Sequence, residues 1–364
     1  MPHKPPPSAA KLIELALGGL QQMYYPEQKI FCYRTELHNG ALVKRGVSRT
    51  NTLITLIGLQ KAERGGFPKP FDTDPAIKNA ETTYGRLDRI GDIGLHFWLA
   101  SFSPHIMAPV DSSEAYLIAG LSNCRDARER RTMELSWFLA GLSEYAIATE
   151  NSIKLSGIAK QTLTLLLANQ EASGLFRHSF PGRSISGFFR SRIASFADQV
   201  YPIYALSRCQ VAFGFAESGI SAGRCAEKLC SLQGPLGQWW WHYDAICGCV
   251  VRRYPVYSVH QDGMAPMALL ALGQIAGKTH YKSIESSLAW IAGNNERSVD
   301  MRSERYSVIW RNLHLPEFQM YVEEGIHFAT GYERRVSAKN LRVLLECRPY
   351  HLGWLLFAMT GYRS

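Results

Sequence analysis

An all-α fold is predicted: a closed ring of six helical hairpins, outer and inner helices alternating, with long loops on one face and one small β-hairpin. Three observations predict it. Twelve helical segments recur along the chain in two alternating kinds, one apolar nearly all round and the other one-sided, as buried and surface helices differ. Two stretches repeat a Gln-x3-Gly-x-aromatic turn followed, after a long loop, by an Asp that opens an apolar helix. Strand signals are sparse, and "EFQMYVEEGIHFATGY" at 317–332 is the one hairpin candidate.

Taken in order, the proline-rich residues 1–8 read as a loose tail. A one-sided helix at 9–23 runs out through "LALGGLQQMYYPEQKIFCYR" into an aromatic turn, and "RTNTLITLIGL" supplies the apolar helix at 48–60. The one-sided helix at 75–86 precedes the apolar helix at 91–102, whose "RIGDIGLHFWLASF" sets Asp92 near its start. The pair at 113–122 and 133–147 follows, and "RTMELSWFLAGLSEYAI" sets Glu134 in the same place. The helix at 153–170 ends in Gln170, Gly174 and Phe176 and leads to Asp198 and the helix at 197–212. The helix at 218–232 ends in Gln233, Gly237 and Trp239 and leads to Asp262 and the helix at 261–273. Gln170 to Asp198 is 28 residues and Gln233 to Asp262 is 29, so the pattern equates the two aspartates. The last pair is 280–293 and 350–360, with "RPYHLGWLLFAMTG" placing His351 at the corresponding start. The whole chain, 1–364, reads as one domain, with 294–349 inserted over a pocket.

This alternation resembles the α/α-toroid superfamily, which includes six-hairpin glycosidases, sugar epimerases, polysaccharide lyases, protein prenyltransferases and terpene cyclases. The turns at Gln170 and Gln233 look like the repeats of the prenyltransferase and terpene cyclase branch. The resemblance covers most of the chain in architecture and is specific at the level of fold. It implies a pocket in the middle of the ring.

Composition narrows the classes. The chain is 46% hydrophobic and 20% charged, which is globular rather than disordered. No apolar run is long enough for a membrane span, and the start lacks a signal pattern, so a cytoplasmic protein is expected. Eight scattered cysteines in a chain of this kind argue against a disulfide framework. Cys247-Gly-Cys249 alone is a weak metal signal, and no metal or cofactor is expected. The net charge of +9 points to an anionic partner, either a small molecule or a polymer. No nucleic-acid-binding signature accompanies it, so nucleic acid is not expected.

The loops at 24–47, 171–196, 233–260 and 294–349 all lead from an outer into an inner helix and share one face. That face carries the N-termini of the inner helices, with free N–H groups and positive dipole ends, an anion-accepting mouth. Asp262, Asp198 and Glu134 are the candidate acids or bases, with Asp92 beside them; helix capping is the plain alternative for each. Asp262 stands out because His260 and Tyr257 adjoin it. His260 and His242 are candidates for base or hydroxyl contacts, and His351 opens the last inner helix. Trp239, Trp240 and Trp241 cannot all face one core; one of them, with Tyr243, Tyr254 or Tyr257, is expected to form a flat platform. Arg177, Arg252, Arg253, Arg302, Arg305 and Arg311 supply guanidinium groups, most of them solvated and Arg253 among those placed at the site.

Carbohydrate chemistry absorbs these features: a hydrolase, lyase or epimerase working on an acidic saccharide or polysaccharide. Hydrolysis would use two carboxyl groups, Asp262 with Asp198, Glu134 or Asp92. A terpene cyclase or prenyltransferase acting on an isoprenoid is the alternative that the resemblance implies. Against it, Asp-x-Asp-Asp and Asp-Asp-x-x-Asp patterns are absent, and Asp72 to Pro75 reads as a helix cap. A toroid that binds saccharide without catalysis is the third class.

Overall fold

The structure is a computed structural model, and it describes residues 6–83, 89–102, 131–180, 191–277, 279–316 and 337–362. Six helices form the inner ring and five of the helices outside it are described. In chain order they are α1 (Ala9–Met23, outer), α2 (Arg49–Arg64, inner), α3 (Asp74–Thr83, outer) and α4 (Ile90–Phe102, inner). Then come α5 (Thr132–Thr149, inner), α6 (Ser152–Leu167, outer), α7 (Ala197–Phe213, inner) and α8 (Ala216–Ser231, outer). A single π-helical turn, His260–Met264, runs into α9 (Ala265–Ala276, inner); α10 (Tyr281–Ile291, outer) and α11 (Pro349–Thr360, inner) complete the set. The expected outer helix at 113–122 and the expected hairpin at 317–332 lie outside the described residues.

The inner helices pack side by side in the order α2, α4, α5, α7, α9 and α11, and α11 returns to α2. This closes the ring. Most residues of the inner helices are buried, which explains their apolar character on nearly all faces. Two junctions of the ring are backbone against backbone. A Cβ on Gly141 would meet the Gly94 carbonyl oxygen at 1.9 Å, and one on Gly58 would meet that of Gly353 at 2.1 Å. Only glycine permits that approach, so α4 presses on α5 and α2 on α11.

The repeated turns are clasps. Gln170 Nε2 donates to Gly174 O and to Ser221 O on α8, at 2.9 and 3.0 Å. Gln233 Nε2 donates to Gly237 O and to Ser283 O on α10, both at 3.0 Å. Each glutamine follows an outer helix and ties it to the next outer helix. A second clasp joins the turn to the inner helix. Phe176 N donates to Gln199 Oε1 at 2.8 Å, and Trp239 N donates to Gln261 Oε1 at 3.2 Å. These bonds equate Gln199 with Gln261. They therefore equate Asp198 with His260, and Asp262 with the core residue Val200. The sequence pairing of Asp198 with Asp262 is two residues out of frame: the clasps make the second loop one residue shorter than the first, whereas that pairing makes it one residue longer.

The long loops hold more strand than the sequence reading expected. Ile30–His38 and Ala41–Val47 form an antiparallel hairpin, joined by Tyr24–Tyr25 and Glu346–Cys347 into one sheet. Ile193–Ser195, His242–Asp244 and Cys249–Arg252 form a second sheet; Val256–Tyr257, Asn312–His314 and Arg342–Leu344 form a third. These sheets fix the loops over the N-terminal ends of the inner helices. Among the described residues no helix is long and apolar enough to cross a membrane.

Candidate functional site

A cavity of about 290 Å³ opens at the N-terminal ends of the inner helices. Thr50 and Asn51 from α2, Met133 and Trp137 from α5, and Ala197 and Tyr201 from α7 line it. His260 and Met264 from the π turn and Tyr350 from α11 complete the helix-borne wall. The loops add Ser195, Trp241, Tyr257 and Arg311. Helix N-termini turn a positive potential toward such a space.

One wall is aromatic. Trp241 and Tyr257 face each other with ring centroids 4.4 Å apart, and Tyr257 lies 5.2 Å from His260. Trp241 Nε1 donates to His242 Nε2, which keeps that imidazole turned to the wall. Burial pushes both histidines down to about 3, with nearby positive groups adding to the effect. Both are therefore neutral near pH 7, suited to hydrogen bonding rather than to carrying charge. A base of that strength accepts protons poorly.

The cationic group on the cavity is Arg311. Its guanidinium sits 5.1 Å over the Tyr257 ring and pairs with Glu346 at 2.7 Å. Glu346 also holds Arg348 at 2.7 Å and Arg34 at 3.5 Å, and Glu36 holds Arg34 and Arg45. Four guanidinium groups thus share two carboxylates, and the cluster stays positive where it reaches the cavity through Arg311.

The acids divide by surroundings. Asp92 is half-buried in the first turn of α4, and Thr50 Oγ1, from the cavity lining, donates to its Oδ1 at 3.2 Å. Burial raises its carboxyl above the usual range, against the lowering effects of Arg89, the Thr50 hydrogen bond and Arg49. Glu134 is committed elsewhere: Arg89 Nη2 reaches its Oε1 at 2.6 Å and Gly91 N donates to its Oε2 at 3.0 Å. It caps α4 and sets the angle at which Asp92 is presented. Asp198, beside the lining residues Ser195 and Ala197, accepts at Oδ2 from Ser195 N (2.9 Å), Ser195 Oγ (2.8 Å) and His178 Nδ1 (3.0 Å). Its Oδ1 is buried with no hydrogen-bond partner among the described residues. Its hydrogen bond raises the His178 pKa, so the pair carries an ion-pair character.

Asp262 stands behind the wall. It is fully buried, and His351 Nε2 lies 2.9 Å from both of its oxygens. His351 is buried too, so the pair joins the π turn to α11 away from the cavity lining.

The remaining sequence candidates fall outside the lining. Trp239 is fully buried, 5.7 Å from Phe196. Trp240 packs edge-on to Tyr254, with Arg253 5.2 Å over its ring. Tyr243 is fully buried and its hydroxyl accepts from Trp240 N at 3.1 Å; alternation along the 242–244 strand turns it away from His242. Tyr254 donates to Glu296 at 2.8 Å, and Arg177 pairs with Glu171. Cys247 and Cys249 are both exposed. Asp74 N donates to Asp72 Oδ1 at 3.0 Å, so the Asp72 motif starts α3.

The sequence reading missed Trp137, Tyr201, Tyr350 and Ser195 as cavity residues. A signal existed for two of them: Trp137 and Tyr201 lie three residues after Glu134 and Asp198, hence on the same helix face.

No family model matches the chain, and no curated protein matches it. Solved structures do. An unsaturated glucuronyl hydrolase specific for heparin is 14% identical with a TM-score of 0.57, covering 97% of this chain and 96% of its own. The unsaturated glucuronyl hydrolase of Bacillus sp. GL1 is 13% identical with a TM-score of 0.58, covering 96% of each chain. A glycosyl hydrolase family 88 protein from Bacteroides vulgatus is 10% identical with a TM-score of 0.60, covering 98% of this chain and 99% of its own. The similarity spans the whole ring and shows the fold, an (α/α)6 toroid.

Proposed function

We propose that this chain is a hydrolase of a small acidic saccharide, or of the acidic end of a longer one. The observation that carries the reading is a half-buried carboxyl, Asp92, raised by burial above the usual range and one hydrogen bond from an aromatic-walled cavity that bears Arg311. A volume of about 290 Å³ is at the small end of ligand pockets, which suits a sugar or two rather than the middle of a polymer. The Trp241–Tyr257 wall offers a face for a sugar ring to stack on. Arg311 and the inner-helix N-termini meet the substrate's carboxylate. Asp92, whose carboxyl burial raises above the usual range, donates to the bond that breaks. Asp198, buried beside the lining residues Ser195 and Ala197, is the second carboxylate.

The weak basicity of His260 and His242 speaks against proton abstraction by them, which lowers the lyase and epimerase readings. The missing aspartate motifs leave the isoprenoid reading without a site for diphosphate. Relatives in fold bear names that specify unsaturated glucuronyl groups, so saccharides ending in an unsaturated uronic acid are the first substrates to assay, beside saturated ones. Release of the acidic sugar, followed by mass spectrometry, supports the proposal. Saturable binding of such saccharides without any product would establish the non-catalytic toroid in its place.

A further inference from the structure

We infer that a second ligand site lies at the opposite end of the ring, where two adjoining cavities bind a small organic anion through Lys61 and Arg64. The cavities measure about 210 and 360 Å³ and share Lys61, Phe102, Glu144 and Arg208 as lining. They open among the C-terminal ends of the inner helices. The first cavity and this pair are separated by an aromatic column along the ring axis. Trp137 meets Tyr201 at 5.3 Å, Tyr201 meets Trp354 at 5.9 Å, Trp354 meets Trp98 at 5.2 Å and Trp98 stacks on Tyr204 at 4.7 Å. The second site is therefore closed off from the proposed catalytic one and does not rest on that reading.

The charges here do not balance. Glu144, the carboxylate of the cavity lining, is fully engaged. Arg208 Nε reaches its Oε1 at 2.6 Å and Nη2 its Oε2 at 3.2 Å, and the Tyr204 hydroxyl donates to Oε1 as well. Two cations are left over. Arg64 Nη2 donates to the carbonyls of Ser101 and Phe102, both at 2.9 Å, which satisfies the negative end of α4. Lys61 has no carboxylate within ion-pair distance among the described residues; its ammonium lies 5.4 Å from the Phe357 ring. Burial lowers its pKa against the opposing attraction of Glu144, and the neighbouring Arg208 and Arg64 lower it further. Phe102, Met267, Leu270 and Phe357 give the cavity an apolar floor. A ligand that complements both features carries an anionic head on an apolar or ring-shaped body. A carboxylate and a phosphate monoester share that chemistry.

Isothermal titration of the full chain with phenyl phosphate and with benzoate tests the site and distinguishes the head groups. Saturable binding of either one is expected, and the one that binds identifies the head. Lys61→Met and Arg64→Met are each expected to weaken it by about tenfold or more, the loss of one charge-assisted contact. Arg64 is exposed, so its variant folds even where Lys61→Met does not. Arg311→Met, in the other cavity, is expected to leave the binding unchanged. No saturable binding of either anion would overturn the inference, as would binding indifferent to both Lys61→Met and Arg64→Met, or binding lost only in Arg311→Met.

Discussion

Trp239, Trp240 and Trp241 are adjacent in the chain and do three different things. Trp239 fills the core, Trp240 packs under Arg253, and Trp241 faces the cavity. Trp239→Ala is expected to cost about 3–5 kcal/mol of stability in a denaturant melt. Trp241→Ala is expected to leave stability within about 1 kcal/mol and to raise KM about three- to tenfold, the worth of one aromatic contact. Asp262 is a second residue whose neighbours set its role. Its partner His351 is as buried as it is, so Asp262→Ala strands an imidazole and is expected to destabilise by about 3–5 kcal/mol. The turnover of the folded fraction should change little; a loss of a hundredfold or more would make Asp262 catalytic. His96, 4% exposed and with no partner for its Nδ1 among the described residues, has its pKa lowered by burial to about 4. Its folded pKa is below its unfolded value, so its stabilising contribution is whole above about pH 6.5 and fades as pH falls toward 4. Each such histidine adds about 1.4 kcal/mol per pH unit to the slope of stability in that window, and His96→Phe should flatten the slope by about that much.

At the scale of elements, the inner helices meet where glycine meets backbone. Gly141→Ala drives a methyl into the Gly94 carbonyl and is expected to cost about 1–3 kcal/mol, read from the thermal midpoint. The same substitution at Gly223, with open space around it, is the control. Helix positions were legible in the sequence because burial on all faces and burial on one face leave different patterns; α2, α4, α5, α7 and α11 fall within a few residues of their expected bounds. The small sheets were not read. One signal was present: Asn39 and Gly40, with φ of 49° and 79°, make the turn of the first hairpin, and Asn-Gly between alternating residues marks such a turn. The other strands are two to four residues long and pair across distant loops, so no local pattern announces them. The alignment of Asp198 with Asp262 failed for a related reason. Each frame was set by counting across a loop, whereas the structural frame is set by the Gln199 and Gln261 clasps.

For the whole molecule, ring direction mattered more than any motif. Loops from outer to inner helices are long, so the inner-helix N-termini had to carry the mouth, and the cavity of about 290 Å³ lies there. That position was legible because it follows from connectivity and the helix dipole. Which acid faces it was not legible, because burial and partners decide that. Asp262 is enclosed by His351, Glu134 by Arg89 and Gly91, and Asp92 keeps one side-chain hydrogen bond among the described residues, to Thr50, with a raised pKa. The most direct test is the initial rate of release from an unsaturated uronyl disaccharide by the wild-type chain and by Asp92→Asn, with circular dichroism to confirm the fold. The account predicts turnover by the wild type and a loss of at least about a hundredfold in kcat for the variant, as for a removed general acid. A folded Asp92→Asn enzyme that keeps its wild-type kcat would contradict it.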